Sequence, residues 1–180
     1  MFVKVCGLTT EEQIDWAVDL GYSAIGVVGT PRSKRHCEHS RARVLADYAR
    51  GRITTFVVAL DMAEVTDLVE HFDVVQLYQW VELPNLAFCS SSEPSPGQEY
   101  EYFFYDASAG SGNYSAFPDW VRELPGQVVL AGGLNAENVA GVIADHRPFG
   151  VDVSSSVESA PGVKSYESMK RFKQAVRAAD

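Results

Sequence analysis

Phe2-Val3-Lys4-Val5-Cys6-Gly7-Leu8-Thr9-Thr10-Glu11-Glu12-Gln13 contains the pattern on which the fold turns. Phe2 to Cys6 is a short β-rich run. Behind it, Thr9 with Glu12 and Thr10 with Gln13 form two overlapping capping boxes, whose side chains satisfy the free N–H groups of a new helix. A helix is expected there, with Ile14, Ala17 and Val18 at helical spacing and Gly21 as its left-handed stop. The unit is a strand, a cap and a helix.

Outward from this stretch the unit recurs. Ser23 to Val28 reads as a second strand, Ser40 as the cap of a helix carrying Val44, Leu45 and Tyr48, and Ile53 to Leu60 as a strand buried on both faces. Asp61-x-x-Glu64 should open another helix with Val65, Leu68, Val69 and Phe72 on one stripe, before the strand Asp73 to Leu77. Further strands are expected at Leu86 to Cys89, Tyr102 to Asp106, Val128 to Ala131 and Gly150 to Ser154. The remaining helices are a short one after Pro118, one from Asn135 with Val139, Val142 and Ile143, and one from Ser165 with Met169, Phe172 and Val176.

Eight strands alternating with about six helices imply parallel pairing through right-handed crossovers, and eight such units close into a (β/α)8 barrel. An open doubly wound sheet is the alternative, with a high strand count for this length. The barrel fold usually takes about 250 residues, and this chain has 180. The shortage can be located. Between Gln79 and Glu101, Pro84, Pro94, Pro96, Gly97 and the run Ser90 to Ser92 leave no window for a ten-residue helix. The reading is one domain over 1–180, an abridged barrel whose helices after the fourth and fifth strands are missing or shortened.

Composition narrows the function. The chain is 46% hydrophobic with a formal net charge of -9, which excludes a disordered chain and argues against a general nucleic-acid binder. It has no apolar run of about 18 residues to span a bilayer, and a strand-like run from Phe2 leaves no room for a secretory leader, so the cytosol is the expected compartment. Cys6, Cys37 and Cys89 are odd in number and far apart, so neither a disulfide framework nor a zinc ribbon is indicated. In a parallel barrel, catalytic groups project from the C-terminal strand ends. Cys6, Arg35, Asp106, Gly132-Gly133, Asp152 and Ser154-Ser155-Ser156 all follow strand runs.

Those residues carry a resemblance. Lys4-Val5-Cys6-Gly7-Leu8-Thr9 resembles the opening motif of the phosphoribosylanthranilate isomerases, and Gly26 with Pro31-Arg32-Ser33-Lys34-Arg35 is similar to their second loop. Val75-Gln76-Leu77 matches the fourth strand, and Tyr105-Asp106, Gly110-Ser111-Gly112 and Asp119-Trp120 the sixth strand and its loop. The similarity is strongest in Leu130-Ala131-Gly132-Gly133-Leu134-Asn135, Gly150-Val151-Asp152-Val153-Ser154-Ser155, Val157-Glu158 and Pro161-Gly162-Val163-Lys164. It is weakest from Tyr78 to Glu101. That family commonly follows its fourth strand with His-Gly, where this chain has Tyr78-Gln79, and Ser156 stands where a glycine is usual.

The resemblance implies a barrel with neither metal nor organic cofactor that performs an Amadori rearrangement of a phosphosugar-anthranilate substrate, in tryptophan biosynthesis. It implies Cys6 as general base and Asp106 as general acid, with Gln76 and Asp152 among the substrate-binding residues. A thiol is a weak base near neutrality unless a cation favours its thiolate. Alternation puts Lys4 on the face of Cys6, so Lys4 is expected inside the barrel, biasing Cys6 toward thiolate, with Asp152 as the lysine's partner. Asp106 must be protonated when the ring opens, and burial beside Phe104 and Tyr102 would act in that direction.

The substrate's two anions need their own sites. Loops after strands seven and eight of barrels commonly hold phosphate, which designates Gly132, Gly133, Ser154 and Ser155, with Ser156 to Ser159 as a short helix. Gly110 and Gly112 read equally as a loop over the phosphate or as a linker turn. Arg35 is the candidate for the anthranilate carboxylate, with Arg32 and Lys34 as competitors. His36-Cys37-Glu38-His39 has ligand-type side chains but no further ligands, and reads as a polar lead-in to a helix rather than a metal site. A monomer without nucleic-acid or membrane partners is the simplest expectation. The rival function is a phosphosugar-binding barrel that has lost catalysis and serves as a regulator or scaffold; a third reading keeps the enzyme class with a related aminoaldose phosphate.

Overall fold

Lys4 sits in register with Asp152, and Phe2 with Gly150, so the first strand of the chain pairs with the last and the sheet closes. The computed structural model describes residues 1–106, 108 and 114–180. Its strands are β1 (Phe2–Cys6), β2 (Ala24–Val28), β3 (Thr54–Ala59), β4 (Val74–Leu77), β5 (Leu86–Ser90), β6 (Tyr102–Asp106), β7 (Gln127–Ala131) and β8 (Gly150–Val153). All are parallel and follow one another in chain order around a closed barrel. A Cβ on Gly150 would lie 2.7 Å from the Phe2 carbonyl oxygen, so glycine permits the closing contact.

Alternation sorts each strand's side chains between the barrel interior and the surrounding layer. Val3, Val5, Ile25, Val27, Val57, Leu130 and Val151 face outward into the larger apolar core. Cys6, Ala24, Phe56, Val74, Ala87, Phe104 and Val129 form the interior cluster. Phe2 packs on Tyr102 and Phe149, with ring centroids 5.5 and 5.4 Å away. Phe56 and Phe104 meet edge to face above them. The N-terminal end of the barrel is thus filled with rings, which leaves the C-terminal end for chemistry.

The helices are fewer than the periodicity predicts. The α-helices are α1 (Glu11–Asp19), α2 (His39–Ala49), α3 (Val139–His146) and α4 (Tyr166–Ala179). Thr10 caps α1 by accepting from the Gln13 N–H, and Ser165 caps α4 by accepting from the Ser168 N–H. Ser40 is not a cap. The Cys37 N–H is tied to the Val28 carbonyl and the Ala42 N–H already bonds to Glu38, so α2 has begun by His39.

The expected helix from Asp61 is instead a pair of 3-10 turns, Met62–Glu64 and Val69–His71. Its capping box forms, but Val65 packs into the space of the missing Gly29 Cβ, and the backbone leaves helical geometry there. Pro118 is followed by one 3-10 turn, Asp119–Arg122. The helix expected from Asn135 starts at Val139, because Asn135 and Asn138 use their side chains to build the turn before it. Between β4 and β5, and between β5 and β6, there is no helix. Ser156 to Ser159 do not form the expected helix. Ser155–Val157 is a 3-10 turn that runs into β9 (Glu158–Ala160), which pairs antiparallel with β10 (Val163–Lys164).

Candidate active site

At the C-terminal mouth of the barrel lies a cavity of about 570 Å³ bordered by Cys6, Arg35, Gln76, Asp106, Asp152 and the loops after β7 and β8. The inward positions near the strand ends supply the polar groups. Lys4 and Cys6 are successive inward residues of β1, as the alternation predicts. Gly26 on β2 lies in register with Cys6. A Cβ there would be 2.8 Å from Cys6 Sγ and 3.1 Å from Lys4 Nζ, so the glycine makes room for both groups.

Lys4 is fully buried, with Nζ 3.1 Å from Asp152 Oδ1 and 5.1 and 5.4 Å from the ring centroids of Phe104 and Phe56. Burial works against its charge, but Asp152 and Cys6 outweigh it and hold the ammonium proton more firmly than usual. For Cys6 the balance goes the other way. Burial pushes the thiol above its ordinary range, and Lys4 and Lys164 pull it only part of the way back. Lys4 thus acts on Cys6 in the anticipated direction, toward thiolate, and desolvation outweighs it.

Asp106 ends β6 with both oxygens engaged. Oδ1 accepts from the Ser108 N–H at 2.9 Å and its hydroxyl at 2.6 Å, and Oδ2 accepts from the Tyr78 hydroxyl at 2.6 Å. Gln76 on β4 is 4% exposed, and its Oε1 has no hydrogen-bond partner among the described residues. A buried carbonyl oxygen left unpaired costs roughly 1–3 kcal/mol, so Gln76 is set up to accept from a ligand donor.

The loops after β7 and β8 stand side by side. Gly132 and Gly133 have φ of 97° and 70°, in the left-handed region that favours glycine. A Cβ on Gly132 would also meet Asp106 Oδ1 at 2.7 Å. Ser154 donates through Oγ to the Cys6 carbonyl, and Ser155 opens the following 3-10 turn. Ser156 donates to the Leu134 carbonyl at 2.6 Å and joins the two loops. Gly110 and Gly112 lie outside the described residues.

Arg35 borders the cavity but already has a partner. Its Nε and Nη2 meet the Glu158 carboxylate at 2.8 to 3.1 Å, and Nη1 has no partner among the described residues. Glu158 also accepts from buried Lys164 at 2.7 Å and from the Gly162 N–H. Burial raises the Glu158 carboxyl, but Arg35 and Lys164 together hold it below its ordinary range. Arg32 also borders the cavity but is held by Asp61 and Glu64, at 2.8 and 2.7 Å, and Lys34 lies at the cavity wall beside it. His36 and His39 do not converge on one centre. His36 reaches Glu38, and His39 meets Asp67 and the Gly29 carbonyl.

Comparisons with known proteins show the family and support the fold. The pattern of the family described as PRAI, N-(5'phosphoribosyl)anthranilate (PRA) isomerase, matches residues 98–175. The N-(5'-phosphoribosyl)anthranilate isomerase of Allorhizobium ampelinum is 37% identical over 210 aligned positions, covering 98% of this chain and 93% of that protein. This chain belongs to the phosphoribosylanthranilate isomerase family. It is accordingly an enzyme, an isomerase. The phosphoribosyl anthranilate isomerase crystal structure from Thermus thermophilus matches at a TM-score of 0.86 and 30% identity, with 100% of both chains covered. Another family structure, in complex with reduced 1-(O-carboxyphenylamino)-1-deoxyribulose 5-phosphate, matches at 0.74 and 28% identity over 99% of each chain.

Against that family frame, sequence reasoning gave no role to Glu158, Lys164, Ser108 or Tyr78. Glu158 and Lys164 stood inside a motif, but alternation along Val163-Lys164 would bury the valine and expose the lysine, the reverse of what is seen. Tyr78 was visible only as a departure from the family's usual residues. Its contact with Asp106 joins two strand ends that are far apart in the chain, and no local pattern encodes it.

Proposed function

We propose that this isomerase converts N-(5-phosphoribosyl)anthranilate into 1-(2-carboxyphenylamino)-1-deoxyribulose 5-phosphate, with Asp106 as general acid and Cys6 as general base. The observation that carries the reading is that Cys6 and Asp106 border one cavity from different walls. The loops of Gly132-Gly133 and Ser154-Ser155 and the Arg35 guanidinium line that same cavity. Backbone donors and a guanidinium together suit a ligand that carries a phosphate and a carboxylate. The ligand bound in the complexed relative, reduced 1-(O-carboxyphenylamino)-1-deoxyribulose 5-phosphate, carries both groups.

In the proposed first step Asp106 gives its proton to the furanose oxygen. The C1–O bond breaks toward that oxygen as the nitrogen lone pair forms the C=N bond. Cys6 then takes the proton from C2, whose electrons form the C1=C2 bond of an enolamine, and tautomerisation yields the ketone. Backbone N–H groups of the two glycine and serine loops are the proposed phosphate donors, because glycine permits close approach. Gln76 accepts from a substrate hydroxyl or amine, Asp152 steadies Lys4 beside the reacting carbons, and Arg35 offers Nη1 to the anthranilate carboxylate.

Loss of the fluorescent substrate tests the assignment. Cys6→Ala and Asp106→Asn should each lower kcat by about 10²–10⁴-fold, the usual worth of a positioned acid or base. Activity surviving both substitutions would overturn the mechanism, and an inactive wild type that still binds product would favour the regulatory barrel. The base is active only when deprotonated and burial raises its thiol. The Cys6 thiol, read as the thiolate absorbance that Cys6→Ala removes, should therefore titrate above the ordinary thiol range, and Lys4→Met should move it higher still.

A further inference from the structure

The two oxygens of Asp106 are not equivalent. Oδ1 is enclosed, taking both hydrogen bonds from Ser108 and lying where a Cβ of Gly132 would sit. Oδ2 has the Tyr78 hydroxyl as its one hydrogen-bond partner among the described residues, at 2.6 Å. The oxygen with a lone pair to spare is therefore the one Tyr78 holds. Tyr78 follows β4 directly, continues the inward alternation of Val74 and Gln76, and borders the same cavity.

From this geometry we infer that Tyr78 is a positioning residue for the reaction, which turns Asp106 Oδ2 toward the substrate and stabilises the carboxylate left behind when the ring-opening proton departs. The inference rests on Asp106 being the general acid. As the proton moves from Oδ2 to the furanose oxygen and the C1–O electron pair goes to that oxygen, negative charge grows on the Asp106 carboxylate. A hydroxyl donor already at 2.6 Å meets that charge without reorganisation. Tyr78 keeps its own proton throughout, since burial and the neighbouring Cys89 and Asp106 all oppose its ionisation. The other titratable groups facing Asp106 are Cys89 on β5 and Asp152 on β8, with Tyr105 beside it on β6. None of these donates a hydrogen bond to either oxygen.

The test compares Tyr78→Phe, Asp106→Asn and the double variant in steady-state kinetics, with circular dichroism to confirm folding. The substitution removes one oxygen from a partly buried ring, so the barrel should stay intact. Tyr78→Phe is expected to lower kcat roughly 10- to 100-fold with KM changed less than about threefold, the signature of an interaction made mainly in the transition state. In the Asp106→Asn background the same change should have no further effect, since Tyr78 acts through Asp106. Wild-type kcat in Tyr78→Phe, alongside an inactive Asp106→Asn, would overturn the role of Tyr78 alone. Equal losses from Tyr78→Phe in both backgrounds would do the same, and an active Asp106→Asn would overturn the underlying mechanism with it.

Discussion

The barrel is built differently on its two arcs. On the arc β7-β8-β1-β2 each strand is followed by an α-helix, whereas from β3 to β6 the described residues form only 3-10 turns and loops. Even so, Val75, Leu77, Leu86 and Phe103 on the helix-poor arc are as fully buried as Val5, Val27 and Val151 on the other. Side chains from short segments provide the cover. Phe103 sits 6.0 Å from Phe88, 5.6 Å from Tyr100 and 6.3 Å from Trp120, and Tyr105 lies 5.6 Å from Phe117 and 5.5 Å from Trp120. The Trp80 Nε1–H donates to the Glu99 carbonyl and ties the two connections together. The difference teaches that a barrel's outer face requires apolar coverage rather than helices as such, and each aromatic ring can bury about 150–250 Å².

Equal coverage should mean equal energetic weight. Phe103→Ala on the ring-covered arc and Phe172→Ala on α4 are both expected to cost about 3–5 kcal/mol, read from denaturation midpoints. A loss below about 1.5 kcal/mol at Phe103 would show that the rings only shield the strand. Equal burial need not bring equal local stability, because loops lack the helix's internal hydrogen bonds. Amide hydrogen exchange should be about tenfold or more faster in β5 than in β1. Matching protection would mean that the two arcs open as one unit.

The smallest expected differences concern the arginines that follow β2. Arg35 pairs across to Glu158 on the helix-rich side, half sheltered, while Arg32 pairs with Asp61 and Glu64 on the helix-poor side and is exposed. Arg35→Ala should raise KM about tenfold, through loss of a guanidinium contact to carboxylate. Arg32→Ala should leave KM nearly unchanged, since an exposed pair contributes little. The reverse order would move the carboxylate site to Arg32.

Much of this was legible in the chain, for identifiable reasons. All eight strands are runs whose apolar content or alternation is a local property, and the missing helices after β4 and β5 follow from prolines that cannot donate to a helix. Thr10 and Ser165 cap as their spacing says. Asp61-x-x-Glu64 misleads because the local signal is sound, and its capping box does form, while the close approach of Val65 to Gly29 ends the helix. The cavity's polar border was likewise readable, since inward strand ends in a parallel barrel are fixed by parity. The engagement of Arg35 by Glu158 was not, because the two residues are 123 positions apart.

The sequence by itself determined the strand order, the parity that turns Lys4, Cys6, Gln76, Asp106 and Asp152 inward, and the place where the barrel is abridged, because these depend on neighbours along the chain. The tertiary structure decided which of those groups meet and what charge they prefer. Closure of β1 on β8 sets Lys4 against Asp152, and the turn after β4 sets Tyr78 against Asp106. Burial then outweighs Lys4 and pushes the Cys6 thiol above its ordinary range. Desolvation and through-space contacts depend on the whole enclosure, which no stretch of sequence contains.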